Sequence, residues 1–166
     1  MINCQRVSTL DTMKETLLAC DQLKEKNNLL SQIFYNLQLG NYAIAGIATS
    51  TLIEYVLAMD VDINSVKLKH IIDEFKNETE NIDISYDGIQ FLFGLDGFLE
   101  NYSANTNGFG KDKELDYPNR HWIAHGRMHK DLTKPEAYQL ICALYAIVKV
   151  INTKNLWEAD NFYPYR

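Results

Sequence analysis

The sequence predicts an all-α protein, folded as a compact bundle of about five helices. Apolar residues recur at helical spacing in most segments of the chain, whereas clear runs of alternating β-branched residues are missing. The chain has 166 residues, of which 46% are hydrophobic and 23% are charged, and these values are typical of a globular protein with one hydrophobic core. We therefore expect a single helical domain over residues 1–166.

The first half of the chain predicts three helices. The first covers residues 8–39, and its polar middle, KEKNN, favours a bend or an interruption. Gly40 follows this segment and is expected to cap its C-terminus. The second helix covers residues 42–59, an apolar stretch that we expect to be buried in the core. The third covers residues 65–78 and carries its apolar side chains on one side.

The second half predicts two long helices with a short one between them. A helix over residues 87–102 contains glycines that weaken its regularity, and the polar residues 103–116 form a loop. Pro118 fits the first turn of the short helix, because that position needs no amide donor. Thr133 and Glu136 match a capping box at the start of the last helix. The aromatic tail after it is expected to pack on the body or on a second chain.

The cysteines and the N-terminus favour a cytoplasmic protein. The three cysteines are far apart, and no Cys-x-x-Cys pair occurs, so the sequence supports neither a disulfide framework nor a cysteine-rich zinc module. The first residues lack the basic start and apolar core of a signal peptide. No uncharged apolar stretch reaches the length of about 18 residues that a membrane span requires. We expect no membrane association.

The most distinctive chemistry lies in PNRHWIAHGR, residues 118–127, where two histidines stand four positions apart between two arginines. The chain as a whole has a net charge of −6, which argues against a surface that coats nucleic acid. Residues 118–135 are different, because they carry four fixed cations and one anion: Arg120, Arg127, Lys130 and Lys134, with Asp131. Such a patch suits a phosphate site, although a solvated charged face is the plainer interpretation.

A metal site formed by the histidines is not favoured. His121, His125 and His129 would share one face of a continuous helix, but the outer two would stand about 12 Å apart. A zinc–nitrogen bond is about 2.0–2.1 Å long, so one ion cannot reach both outer rings. The sequence also lacks the spacing of a calcium loop or of a glycine-rich phosphate loop. We expect neither a metal nor another cofactor.

Arg120 and His125 remain as a pair that could act on a phosphate. Metal-free cleavage of RNA needs a base for the 2′-hydroxyl, an acid for the leaving 5′-oxygen and a cation beside the phosphate. Histidine can exchange protons near neutral pH, and arginine offers a permanently charged fork. On an ideal helix the two side chains point roughly 140° apart. The plainer alternative is that His125 caps a helix end while Arg120 pairs with a surface carboxylate, and the pattern alone favours it.

The motif resembles a known family. Arg120 and His125 match the Arg-x(4 to 6)-His motif of the HEPN superfamily, compact helical domains that include many metal-independent ribonucleases. Asn-Arg-His-x-x-x-His-Gly, followed by a threonine-capped apolar helix, is similar to a bacterial HEPN-like branch. So is the upstream GNYAIAGIATSTLIEYVL, whose helix carries Glu54. The resemblance covers about residues 28–152.

The resemblance implies an RNA endonuclease of toxin or phage-defence type. Arg120 would stabilise the scissile phosphate, and His125 would act as general base or acid. Asn119 and His121 would assist them, while the neighbouring cations Arg127 and Lys130 are expected to bind substrate.

The family also implies partners. Such domains commonly form homodimers whose two motifs face one cleft, and an antitoxin or another regulatory partner is typical of the toxins. Some of these toxins carry a tyrosine, three residues after the histidine, that a nucleotidyltransferase modifies; Met128 occupies that position here. The alternative function is a catalytically silent HEPN-like module that binds nucleotide or protein.

Overall fold

A computed structural model describes residues 9–61, 67–80, 86–105, 115–126, 128 and 130–162, without the side chains of 86–93 and 158–162. This part of the chain contains seven α-helices and no strand, so the all-α prediction is confirmed. The helices are α1 (Thr9–Leu18), α2 (Asn27–Leu39), α3 (Tyr42–Asp60), α4 (Leu68–Thr79), α5 (Tyr86–Ser103), α6 (Arg120–Ala124) and α7 (Lys134–Phe162).

The expected first helix is divided into three pieces: α1, a 3-10 helix and α2. A 3-10 helix over Asp21–Lys26 separates α1 from α2. Leu17 of α1, Cys20 at the N-cap of the 3-10 helix and Leu23 within it are all buried. The interruption therefore keeps its apolar side chains in the core. The KEKNN stretch lies at its end and at the start of α2.

The α2–α3 connection confirms the predicted glycine cap. Gly40 has a φ of 79°, in the left-handed region that favours glycine. The amide of Asn41 donates to the carbonyl of Asn36 at 2.9 Å, as in a Schellman motif. This tight turn lets α3 start at once and pack back along α2.

The long apolar helices α3 and α7 form the centre of the bundle and pack on each other. Gly46 of α3 leaves room for Leu132, just before α7, because a Cβ atom there would stand 2.6 Å from its Cδ1 and 3.4 Å from Cδ1 of Leu140 in α7. By length and composition alone, both helices could also cross a membrane. In this fold, many of their side chains lie in the shared core.

Helix α7 begins with the predicted capping box. The amide of Thr133 donates to Oε2 of Glu136 at 2.7 Å, and the Thr133 hydroxyl donates to the same oxygen at 2.6 Å. Burial alone would raise the pKa of the Glu136 carboxyl, but the bonds from Thr133 and the charge of Lys130 outweigh it and hold that pKa below its ordinary value.

Near the other end of α7, Lys154 joins three helices. Its ammonium group donates to Oδ2 of Asp60 and to Oε2 of Glu78, each at 2.8 Å. Burial lowers the pKa of Lys154, yet the two carboxylates raise it by more, so the ammonium stays charged. The cluster fixes the ends of α3 and α4 against α7.

Candidate functional site

Helix α6 carries the Arg–His motif, and Asn119 sets its position. Asn119 is the N-cap, and its Oδ1 accepts hydrogen bonds from the amides of His121 at 3.1 Å and Trp122 at 3.3 Å. Its Nδ2 donates to the carbonyls of Asn101 at 2.9 Å and Ala104 at 3.1 Å, at the end of α5. The side chain thus donates two hydrogen bonds, accepts two, and is 1% exposed. This geometry makes Asn119 a positioning residue beneath the motif.

The placement of Asn119 also corrects one expectation. Pro118 precedes the N-cap and does not occupy the first turn of the helix, so that prediction was wrong. The asparagine oxygen satisfies two first-turn amides, whereas a proline in the first turn would only remove one donor. Helix α6 consequently starts at Arg120.

Helix α5 is itself anchored to α3 by a buried tyrosine. The hydroxyl oxygens of Tyr102 and Ser50 lie 2.6 Å apart, and the Tyr102 hydroxyl also lies 3.1 Å from the carbonyl of Ser50. Burial raises the pKa of the Tyr102 phenol far above its ordinary range, so it remains a neutral hydrogen-bonding group. Ser50 and Glu54 are one turn apart on α3. The same helix therefore supports both α5 and the arginine of α6.

Arg120 forms a two-point ion pair with Glu54. Its Nε donates to Oε1 of Glu54 at 2.9 Å, and its Nη2 donates to Oε2 at 3.2 Å. The side chains are 29% and 31% exposed, so the pair stands at the surface of the bundle. The hydrogen bonds with Glu54 raise the pKa of the Arg120 guanidinium, despite partial burial. Arg120 therefore stays charged and is held in one orientation.

The pair leaves part of the guanidinium for a ligand. Arginine has five N–H donors, and two of them point to Glu54. The two protons on Nη1 and the second proton on Nη2 form another edge, which matches two oxygens of a phosphate. Glu54 thus orients the guanidinium group while accepting from only two of its five N–H donors.

The two motif histidines stack on each other. The ring centroids of His121 and His125 lie 5.8 Å apart, and the rings are inclined by 20°. Helix α6 ends at Ala124, and the amide of His125 donates to the carbonyl of His121 at 3.1 Å as the C-cap. Gly126 follows with a φ of 60° and turns the chain away. His125 is exposed to solvent.

Both features of the plainer alternative are observed. Arg120 pairs with a surface carboxylate, and His125 caps a helix end. Arg120 contacts Glu54 of α3, whereas His125 stacks on His121. Within one chain, then, the arginine and the histidine have different nearest partners.

An open cavity of about 470 Å³ lies beside Arg120. It is bounded by the N-terminal turn of α4, the C-terminus of α5 and the start of α6. Seven of its eight lining residues are polar, and the set is Lys67, Leu68, Lys69, His70, Ser103, Asn105, Arg120 and His121. His121 thus faces both the cavity and His125, whereas His125 is outside the lining. No carboxylate occurs among these lining residues.

The remaining expected residues lie elsewhere. Lys130 is 3.3 Å from Oε1 of Glu136 and belongs to the cap of α7. Arg127 and His129 fall outside the described residues. In the part of the chain that the structure describes, no group of three or more His, Cys, Asp or Glu side chains is arranged to hold a metal ion.

Three basic residues of the cavity were missed at the sequence level. Lys67, Lys69 and His70 belong to the run KLKH, which fits the polar side of an amphipathic helix. The run is a local signal, but its proximity to Arg120 arises only when α4 and α6 meet in space.

Comparisons with models of protein families, with curated proteins and with solved structures give no match for this chain.

Proposed function

We propose that this protein is a cytoplasmic, metal-independent RNA endonuclease of toxin or phage-defence type, built on a HEPN-like helical domain. The observation that carries the proposal is the Arg120 guanidinium, which Glu54 orients while a phosphate-binding edge stays available. Two further features support it: the stacked histidines in the same motif and the resemblance of the eight-residue motif to ribonuclease motifs.

The chemistry needs one base and one acid. The base removes the proton of the ribose 2′-hydroxyl, whose oxygen attacks the phosphorus; the bond to the 5′-oxygen breaks, and the acid protonates that oxygen. The products are a 2′,3′-cyclic phosphate and a 5′-hydroxyl. In our proposal His125 takes one of these roles, and His121, stacked against it, assists by taking the other. Arg120 balances the charge that grows on the phosphate oxygens.

We also propose a homodimer that brings two motifs together. Ile44 and Ile47 of α3 are 59% and 52% exposed and lie three positions apart, so they form one apolar surface of the helix. Ile47 and Glu54 are seven positions apart and therefore share a face of α3. A second copy that covers this face would place its own motif near the first. Light scattering at micromolar concentration should give twice the mass of 19.2 kDa, and a strict monomer that cuts RNA would refute the shared cleft.

The decisive experiment separates cleavage from binding. His125→Ala should retain most RNA binding but lower the cleavage rate by about 10² or more, the usual contribution of a positioned acid or base. His125→Asn is the matched variant, because it keeps a polar side chain and still cannot transfer protons; it should be equally slow. Arg120→Ala should weaken both binding and cleavage.

Two readouts identify the reaction itself. The products should end in a 2′,3′-cyclic phosphate, and an RNA with 2′-deoxyribose at the cut site should resist cleavage. Both histidine variants should keep the thermal midpoint of the wild type within a few degrees, because an exposed side chain contributes little to packing. Cleavage that is equal in wild type and His125→Asn would reject His125 as the acid or base.

The second candidate is a catalytically silent module that binds RNA, nucleotide or protein. One observation favours it: within a single chain, Arg120 and His125 have separate partners. If pure wild-type protein binds RNA tightly yet never cuts it, as monomer or dimer, this second function is correct.

A further inference from the structure

The cavity beside Arg120 is basic, although the protein as a whole is acidic. The whole chain has a net charge of −6, yet the cavity has three fixed cations in its wall, Lys67, Lys69 and Arg120. His70 and His121 add two imidazole rings, which can donate N–H hydrogen bonds. A concave basic surface on an acidic body concentrates anions locally.

Its walls come from three helices that the fold brings together. Lys67 is the N-cap of α4, and Lys69 and His70 belong to the first turn. The positive end of the α4 dipole therefore lies at the same wall as these cations. Across the cavity, Asn105 follows the end of α5 and offers an amide donor. Every wall presents donors or positive charge, as a phosphate ligand requires.

The cavity is also continuous with the proposed cleavage site, since Arg120 and His121 line it. A phosphate on the available edge of Arg120 would stand at its border. An RNA chain that leaves this phosphate toward the cavity would reach the wall formed by Lys67, Lys69 and His70.

We infer that this cavity is a second phosphate subsite, which binds the backbone of single-stranded RNA next to the phosphate held by Arg120. The inference rests on the proposed function, because it places the scissile phosphate at Arg120. Arg120 contacts the phosphate that is cut, and Lys67 and Lys69 hold the neighbouring one. Backbone contacts of this kind set affinity and register and do not read sequence.

The test combines a double substitution with RNAs of two lengths. Lys67→Ala/Lys69→Ala removes the lysines of the far wall, and Lys149→Ala, an exposed lysine on α7, is the matched control. All variants are made in the His125→Ala background, so that RNA is bound without being cut. Fluorescence anisotropy measures binding of an RNA dinucleotide, which has one phosphate between its nucleosides, and of hexanucleotides that extend it on either the 5′ or the 3′ side.

We expect one of the two extensions to strengthen binding to the parent protein by about 10-fold or more, and the double variant to lose that gain. Its salt dependence should also be flatter by about 0.7 for each phosphate that the variant no longer neutralises, the value for single strands. Dinucleotide binding should change much less. The Lys149→Ala control should behave like the parent. Lys69→Gln alone should show part of the same loss, which guards against a misfolded double variant.

The outcomes separate this inference from the proposed function. If RNA is cut by the wild type but both extensions bind equally well to the double variant and the control, the cavity is not a subsite while the nuclease stands. If the lysines carry the length-dependent gain but the wild type never cuts RNA, the subsite stands and the nuclease does not. If the parent binds no RNA of any length, the inference is overturned.

Discussion

Two ion clusters on α3 consist of similar residue types but differ in their exposure to solvent. Glu54 pairs with Arg120, and six residues later Asp60 pairs with Lys154. The first pair is about 30% exposed on both sides, whereas the side chains of Lys154 and Asp60 are 7% and 4% exposed. Lys154 also has a second carboxylate, Glu78. The Lys154–Asp60 pair is buried within the bundle, and the Arg120–Glu54 pair stands at its surface beside a cavity.

The difference in burial distinguishes a pair that stabilises the fold from the pair to which we assign a role in the proposed function. The buried ammonium of Lys154 contacts two carboxylates, and removing it leaves the charge of Asp60, which is 4% exposed, poorly solvated, whereas Glu78 is 28% exposed. A half-exposed arginine loses little solvation and contributes little to stability. Within the described ranges, the hydrogen bonds of Arg120 go to Glu54 and use two of its five donors, and the cavity wall beside it contains Lys67 and Lys69. Its position therefore favours binding an external anion over holding the fold.

The largest effect is expected from breaking the buried cluster. Lys154→Ala should reduce the free energy of unfolding by about 3–5 kcal/mol, the usual cost of leaving a buried charge without its partner. Arg120→Ala, the matched change in the exposed pair, should reduce it by less than about 1 kcal/mol. Urea denaturation followed by circular dichroism measures both. Equal losses in the two variants would show that Arg120 is as structural as Lys154.

A smaller effect is expected from loosening the exposed pair while leaving its arginine in place. Glu54→Gln keeps the shape of the side chain but removes the charge that orients the guanidinium. We expect the rate of RNA cleavage to fall about 10-fold, because misplaced catalytic groups lose rate quickly. RNA affinity should stay the same or rise, since one anion is removed near the phosphate. A parallel fall in affinity and rate would contradict a positioning role for Glu54.

The smallest effect concerns Glu136, a buried carboxylate that is also paired but serves a helix cap. Its pKa is lowered in the folded state, so its contribution to stability is present above the ordinary glutamate pKa of about 4.3 and is lost as pH falls through the lower folded value. The loss should be about 1 kcal/mol, the usual worth of a cap. Thermal melts between about pH 7 and pH 3 should show this loss in the wild type and a weaker one in Glu136→Gln.

Much of the fold could be predicted because it depends on short-range interactions. The apolar spacing predicted α3 within one residue of its observed end. Gly40 and the Thr133–Glu136 box act within a few residues of themselves, so their caps were predictable. The motif of α6 was likewise visible, although Asn119, with its side-chain oxygen, and not Pro118 decides where the helix begins.

The candidate site was predictable only in part. The sequence indicated Arg120, His121 and His125 by their residue types and spacing, and the stacking of the two histidines follows from their separation of four. It assigned Asn119 an auxiliary role, where the structure places it as a buried cap. The lysines of the cavity were hidden in an ordinary amphipathic pattern.

By itself, the sequence determined an all-α chain, the main helices, most of their ends and a motif suited to phosphate chemistry, because periodicity and capping act over three to five residues. Only the tertiary structure decided which charges meet. Arg120 and Glu54 are 66 positions apart, and Lys154 and Asp60 are 94 apart. With 16 lysines and arginines facing 22 carboxylates, local patterns favour no particular pairing. The packing of α3 against its neighbours buries one pair and leaves the other open at a basic cavity.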